Sequence, residues 1–212
     1  MSTRIKICGI TRPEDGIAAA LAGADAIGLV FYPTSPRAVS IDQAARICAA
    51  LPPFVTTVAL FVDAGQLAIE DVLDAVPIDL LQFHGNETPA QCEVFAKPYI
   101  KAIRMSEEAN LAEAAAEYAS ARGLLVDAWS PTEAGGTGEC FDWARVSPAM
   151  RDGLETPIIL AGGLHPGNVA EAIATVKPYA VDVSSGVEIS KGSKDIDKIT
   201  AFMQAVRQAD NT

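Results

Sequence analysis

The sequence predicts an α/β fold in which eight parallel strands and their helices close into a (β/α)8 barrel, one domain over residues 1–212. Three observations lead there. Short Val/Ile/Leu-rich runs recur along the whole chain, Ala-rich segments with helical apolar spacing separate most of them, and no Gly/Ser linker or composition break divides the sequence. Near-continuous apolar runs are what strands covered on both faces look like, and right-handed crossovers then leave either an open doubly wound sheet or a closed barrel. The count of eight favours the closed form, the TIM barrel, at the short end of its usual length, so connections must be short.

In order, the strand runs are "RIKIC", "DAIGLVF", "FVTTVALFV", "DLLQF", "YIKAI", "GLLVD", "PIILA" and "YAVDV". Helical spacing is read in "PEDGIAAALAGA", "DQAARICAAL", "QLAIEDVLDAV", "PAQCEVFA", "EEANLAEAAAEYA" and "NVAEAIATV". Thr11 with Glu14, Ser40 with Gln43 and Thr88 with Gln91 have capping-box spacing, and Pro13 and Pro89 stand where a helix tolerates proline.

Composition narrows the partners. With 27 acidic and 16 basic residues the net charge is −11, a field that repels polyanions, so no nucleic acid is expected. A small phosphorylated substrate remains open, because backbone amides and one arginine can hold an anion locally. No run of about 18 apolar residues occurs and no apolar segment follows an N-terminal basic patch, so the expectation is a cytoplasmic protein with no membrane partner. The four cysteines are too far apart for a CxxC clamp or a disulfide framework, and reduced thiols fit that compartment. Two histidines without an HExxH or His/Cys pattern imply no metal, and neither GxxxxGK[ST] nor GxGxxG is present to mark a nucleotide or dinucleotide site.

In a barrel of this kind chemistry sits where strands end. Gly162 and Gly163 after the seventh strand and Ser184, Ser185 and Gly186 after the eighth would bring several N–H groups to an anion; the plain alternative is tight turns. The stretch from Ala128 to Glu139 is the longest connection and holds three glycines, which suits a lid over the site or an ordinary surface loop. Cys8 ends the first strand on the same face. It is either a small buried hydrophobe or a thiolate base whose acidity neighbouring dipoles raise, whereas Cys48, Cys92 and Cys140 read as structural. Asp127 ends an apolar strand and is either a carboxylate tying down its own loop or a general acid. Arg37, on a proline-flanked loop, offers a two-pronged clamp for a carboxylate or else a solvated charge. His84 reads as a hydrogen-bonding residue of the site wall and His165 as a loop residue.

With these residues in view, "KICGIT", "GLVFYPTSPR", "LQFHG", "VDAWSPTEAGGTGECFDW", "LAGGLHPGNV" and "VDVSSGVEISKGSKD" resemble, in order and spacing, the motifs of the phosphoribosylanthranilate isomerase family of tryptophan biosynthesis. The resemblance spans nearly the whole chain. It implies an Amadori rearrangement of a phosphoribosyl amine of anthranilate to the corresponding 1-deoxyribulose 5-phosphate, without a cofactor. It further implies Asp127 as the general acid on the ring oxygen, Cys8 as the base on the second sugar carbon, Arg37 on the anthranilate carboxylate, and the "GGL" and "SSG" loops on the phosphate. Phe83 departs from that pattern, where leucine is the commoner residue, and bears on packing. A monomer is expected, with a dimer as the alternative, since small relatives of both kinds occur. Two rivals remain: an isomerase that also opens the histidine-pathway ribonucleotide, a class with aspartate in place of Cys8, and a phosphate-ester binding barrel without catalysis.

Overall fold

The computed structural model describes residues 2–128, 142–151 and 153–211. Eight parallel strands, β1 (Arg4–Cys8), β2 (Ala26–Val30), β3 (Thr56–Phe61), β4 (Leu80–Phe83), β5 (Tyr99–Arg104), β6 (Leu124–Asp127), β7 (Ile158–Leu160) and β8 (Ala180–Val183), form a closed barrel in sequence order. Closure is made by β8 pairing back on β1, from Arg4 opposite Ala180 to Ile7 opposite Val183. The barrel read from the sequence is therefore the one that forms, with strand ends trimmed by a residue or two.

Helices α1 (Pro13–Ala22), α2 (Ile41–Ala50), α3 (Gln66–Ala75), α4 (Pro89–Glu93), α5 (Leu111–Glu117), α6 (Val169–Val176) and α7 (Ile196–Asp210) cover the outside. Ser40 and Thr88 cap α2 and α4 as their spacing predicts, Thr88 with a complete capping box to Gln91. Thr11 does not cap α1. Arg12 takes that position with no capping bond from its side chain, while the Thr11 hydroxyl donates to the Gly192 carbonyl, tying the first loop to the hairpin β9 (Glu188–Ser190) and β10 (Ser193–Lys194). Asn110 starts α5 four residues into the segment read as helical, its side chain accepting the N–H groups of Ala112 and Glu113. The described part of the β6-to-β7 crossover has two 3-10 turns, Trp143–Val146 and Pro148–Arg151. The 15-residue α7 lies beyond the helical segments named from the sequence, although Ile199, Phe202, Met203 and Val206 give it a buried face at helical spacing.

The two-residue alternation of strands sorts the core into two layers. Ile5 and Ile7, Ile27 and Leu29, and Leu81 and Phe83 point outward into the layer shared with the helices. Phe83 belongs to that layer, within 6.5 Å of the Phe61, Phe95 and Tyr99 rings by centroid. The departure from the family pattern thus packs the wall and leaves the interior alone. Inward positions make a smaller apolar plug of Ile100, Ala102, Leu125, Ile159, Ala161 and Ala180. Above it the inward residues stay apolar on β2 and β3, where Val30 and Leu60 cluster with Cys8, and turn polar at the ends of β4, β6 and β8.

Candidate active site

A cleft of about 340 Å³ opens at the C-terminal ends of the strands. Of the residues singled out from the sequence, Cys8, Arg37, His84, Asp127, Gly162, Gly163, Ser184 and Ser185 all line it. Gly186 is not in its lining; a Cβ there would collide with the Leu164 carbonyl, so its bareness serves the close packing of the last two loops. His165 is a loop residue as read, its Nδ1 accepting the Gly167 N–H at 3.1 Å. The lid segment lies, apart from Ala128, outside the described residues, as does Cys140.

Cys8 is the last residue of β1 and is 6% exposed. Its register partner on β2 is Gly28, where a Cβ would stand 2.7 Å from Cys8 Sγ and 3.1 Å from Lys6 Cε, so only glycine admits both side chains to this corner. Burial pushes the Cys8 thiol up against the pull of the Lys6 ammonium, with Asp182 adding to the rise. This corrects the expectation of a thiol made more acidic by its surroundings: before substrate arrives, desolvation outweighs the nearby cation and favours the protonated form.

Asp127, at the end of β6, divides its two oxygens. Oδ1 accepts the Ala128 N–H at 2.8 Å, the loop-fixing contact of the plain reading, and Oδ2 stands 3.2 Å from His84 Nε2. That second contact is within ion-pair distance but out of line for a hydrogen bond, leaving His84 Nε2 without an aligned partner. On the far side of the ring His84 Nδ1 lies 3.0 Å from Gln82 Nε2, two residues back on the same inward face of β4. Gly162, at φ +83°, lets β7 close on this wall: a Cβ would stand 2.9 Å from Asp127 Oδ1 and 2.5 Å from the Ala128 nitrogen.

Arg37 lines the cleft but its fork is engaged. Nε and Nη2 donate to the two carboxylate oxygens of Glu188 at 2.8 and 2.9 Å, and Lys194 Nζ meets the same carboxylate at 2.9 Å. Burial raises the pKa of Glu188, yet the Arg37 fork and the Lys194 ammonium outweigh it and hold the carboxyl below its ordinary value. A Cβ at Gly9, with φ +75°, would stand 2.5 Å from Arg37 Cδ and 3.0 Å from Ser184 Oγ, so the arginine stem crosses directly over the turn after Cys8.

Sequence reasoning missed Lys6, Gln82, Asp182, Glu188 and Lys194. Parity was the available signal: Lys6 and Asp182 sit two residues before Cys8 and Ser184, on inward positions of strands that are otherwise apolar. Among the described residues no group of three or more His, Cys, Asp or Glu side chains could hold a metal ion, and no helix is long and apolar enough to cross a membrane.

Fold and cleft define a (β/α)8-barrel enzyme with its site at the C-terminal face of the strands. The chain belongs to the N-(5'-phosphoribosyl)anthranilate isomerase family, whose model matches residues 5–205. It is 59% identical over 208 residues to N-(5'-phosphoribosyl)anthranilate isomerase of Pseudomonas fluorescens strain SBW25, covering 98% of this chain and 97% of that one. Among solved structures it is similar to phosphoribosyl anthranilate isomerase from Thermotoga maritima, with TM-score 0.88 and 40% identity over 97% of this chain and 99% of the other. A second phosphoribosyl anthranilate isomerase structure, in complex with reduced 1-(o-carboxyphenylamino)-1-deoxyribulose 5-phosphate, matches with TM-score 0.85 and 39% identity over the same shares.

Proposed function

We propose that this chain isomerises N-(5-phosphoribosyl)anthranilate to 1-(2-carboxyphenylamino)-1-deoxyribulose 5-phosphate by an Amadori rearrangement, a step of tryptophan biosynthesis. The observation that carries the reading is that Cys8 and Asp127, ending β1 and β6, face one cleft whose rim holds Gly162, Gly163, Ser184 and Ser185. A similar structure holding an analogue with a carboxyphenyl group and a 5-phosphate supports the substrate class.

The chemistry needs an acid and a base in turn. Asp127 gives a proton to the furanose ring oxygen; the bond from that oxygen to C1 breaks while the nitrogen lone pair forms a C=N bond, leaving an open-chain iminium. Cys8, as thiolate, takes the proton from C2, which the adjacent iminium has made acidic, and the released pair forms a C1=C2 enolamine. Loss of the enol hydroxyl proton and gain of one at C1 complete the ketone, with no net change in protons. Ser184, Ser185 and the glycines after β7 hold the phosphate. His84 lines the site beside the acid, and Arg37 faces the anthranilate carboxylate with a guanidinium already oriented by Glu188.

We read residues 1–212 as one catalytic domain acting as a monomer, since the barrel closes on itself and supplies the cleft from one chain. Three unpaired thiols, Cys8, Cys48 and Cys92, support a reducing, cytoplasmic setting. Loss of the substrate's anthranilate fluorescence on adding purified protein tests the activity. No change with freshly generated substrate would overturn it, and sedimentation of the same sample tests the monomer.

A further inference from the structure

Among the buried charges that the mechanism does not use, one stands beside the base. Lys6 lies inside the barrel at 5% exposure, and its ammonium meets Asp182 Oδ1 at 2.9 Å. The pair is built by the closing seam, because Lys6 and Asp182 are direct register partners across β1 and β8. A buried ion pair is weak evidence for stability, since an apolar pair of the same volume does as well or better. What the lysine has instead is a neighbour. It shares the inward face of β1 with Cys8, two residues on, and both side chains press against the bare Cα of Gly28.

We propose that Lys6, pinned by Asp182, is the positioning residue that makes the thiolate of Cys8 accessible, as the counter-cation on which the base ionises. The inference rests on the reading of Cys8 as the general base. The other charged groups facing that cleft come from every element around it, Lys191 of the hairpin turn among them. β2 presents only Gly28, β8 presents Asp182, and across the cleft β4 and β6 carry His84 and Asp127. The hairpin brings Lys194, whose ammonium is committed to Glu188, the Ser184 carbonyl and the Ser184 hydroxyl, with Glu188 in turn held by Arg37. Lys6 makes one hydrogen bond to Asp182, leaving donors that can turn to the sulfur. Burial disfavours its charge, but Asp182 and Cys8 outweigh that and keep it protonated. Loss of the thiol proton therefore leaves a sulfur anion next to a fixed cation, at a position only 6% exposed where solvent screens the pair little.

The test follows the ionisation of one sulfur in two ways. The rate of iodoacetamide labelling, read on the Cys8 peptide by mass spectrometry, and kcat/KM are each measured against pH in wild type, Lys6→Met and Lys6→Arg. Lys6→Met should move the labelling midpoint and the acid limb of kcat/KM to higher pH together by about one unit or more, which is about tenfold in rate at neutral pH. Lys6→Arg should restore both. If neither midpoint moves in Lys6→Met, the lysine is structural and the proposal fails while Cys8 as base stands. If labelling moves but the kcat/KM limb stays, Cys8 is not the base, and both readings fall. Should Lys6→Met not fold, NMR titration of the wild type decides: the Cys8 Cβ and Lys6 Nζ signals should shift with a common midpoint, and a Cys8 step without a Lys6 response overturns the proposal.

Discussion

The two walls of the cleft are built on opposite electrostatic plans. On the base wall, formed by β1, β8, the hairpin after them and the loop after β2, five charged side chains are buried in two groups: Lys6 with Asp182, and Arg37 and Lys194 with Glu188. On the acid wall, formed by β4 and β6, Gln82, His84 and Asp127 follow in a short row in which Gln82 Oε1 and His84 Nε2 are buried without an aligned partner. A wall that must accept a new negative charge on sulfur surrounds it with fixed cations, three of them against two carboxylates, so that one positive charge is left in excess. A wall that must hand over a proton keeps polar atoms uncommitted until a substrate aligns them. Acid and base are held apart by environment as well as by distance.

The largest effect should come from removing the two reacting groups. Asp127→Asn keeps the shape of the acid wall but cannot give a proton, and steady-state kcat should fall by ~10²- to 10⁴-fold with KM little changed. Cys8→Ala should fall by a similar factor. Near wild-type turnover in either variant would remove the division of labour between the walls.

Glu188→Gln tests whether the base wall is as charge-dependent as its geometry says. It leaves Arg37 and Lys194 buried together without their carboxylate, and breaking such a pair costs about 3 to 5 kcal/mol, read by urea unfolding at neutral pH. The sign with pH is set by the depressed pKa of Glu188. Its contribution is complete above the ordinary glutamate value near 4.5 and is lost as pH falls through the lower folded value. The stability gap between wild type and variant should therefore narrow below about pH 4. A gap that is flat in pH would mean that packing, and not charge, holds the wall.

Arg37→Lys is smaller and asks which carboxylate the arginine serves. Losing the fork should cost about 1 to 3 kcal/mol in kcat/KM. A substrate analogue without the anthranilate carboxylate should show no such difference between wild type and variant. If the analogue loses as much, Arg37 acts only through Glu188. The smallest effect is expected outside both walls: Phe83→Leu loosens the aromatic layer behind β4 and should cost about 1 kcal/mol of stability with kcat/KM unchanged. A change in kcat would show that this layer sets the position of His84.

Caps and strands were legible in the sequence wherever the deciding interaction is local. Ser40 and Thr88 cap their helices through residues three positions on, whereas Thr11 spends its hydroxyl on Gly192, which no local pattern reveals. Of the cleft, the residues at strand ends could be read, because position along a strand and direction into the barrel both follow from a short-range alternation. Gly186 is harder to read, because a glycine needed for close packing and a glycine needed for an open amide look alike in one dimension.

By itself the sequence determined the alternation of strand and helix, the eightfold count, and the delivery of Cys8, His84 and Asp127 to one face, since each depends on residues within a few positions of one another. Only the tertiary structure decided the company those residues keep. Lys6 finds Asp182 176 positions away and Arg37 finds Glu188 151 positions away. Both contacts join the start of the chain to its end, and β1 meets β8 only when the barrel closes. Until then the acidity of the Cys8 thiol is undetermined, because it is set by desolvation and by charges that only closure brings within a few ångströms.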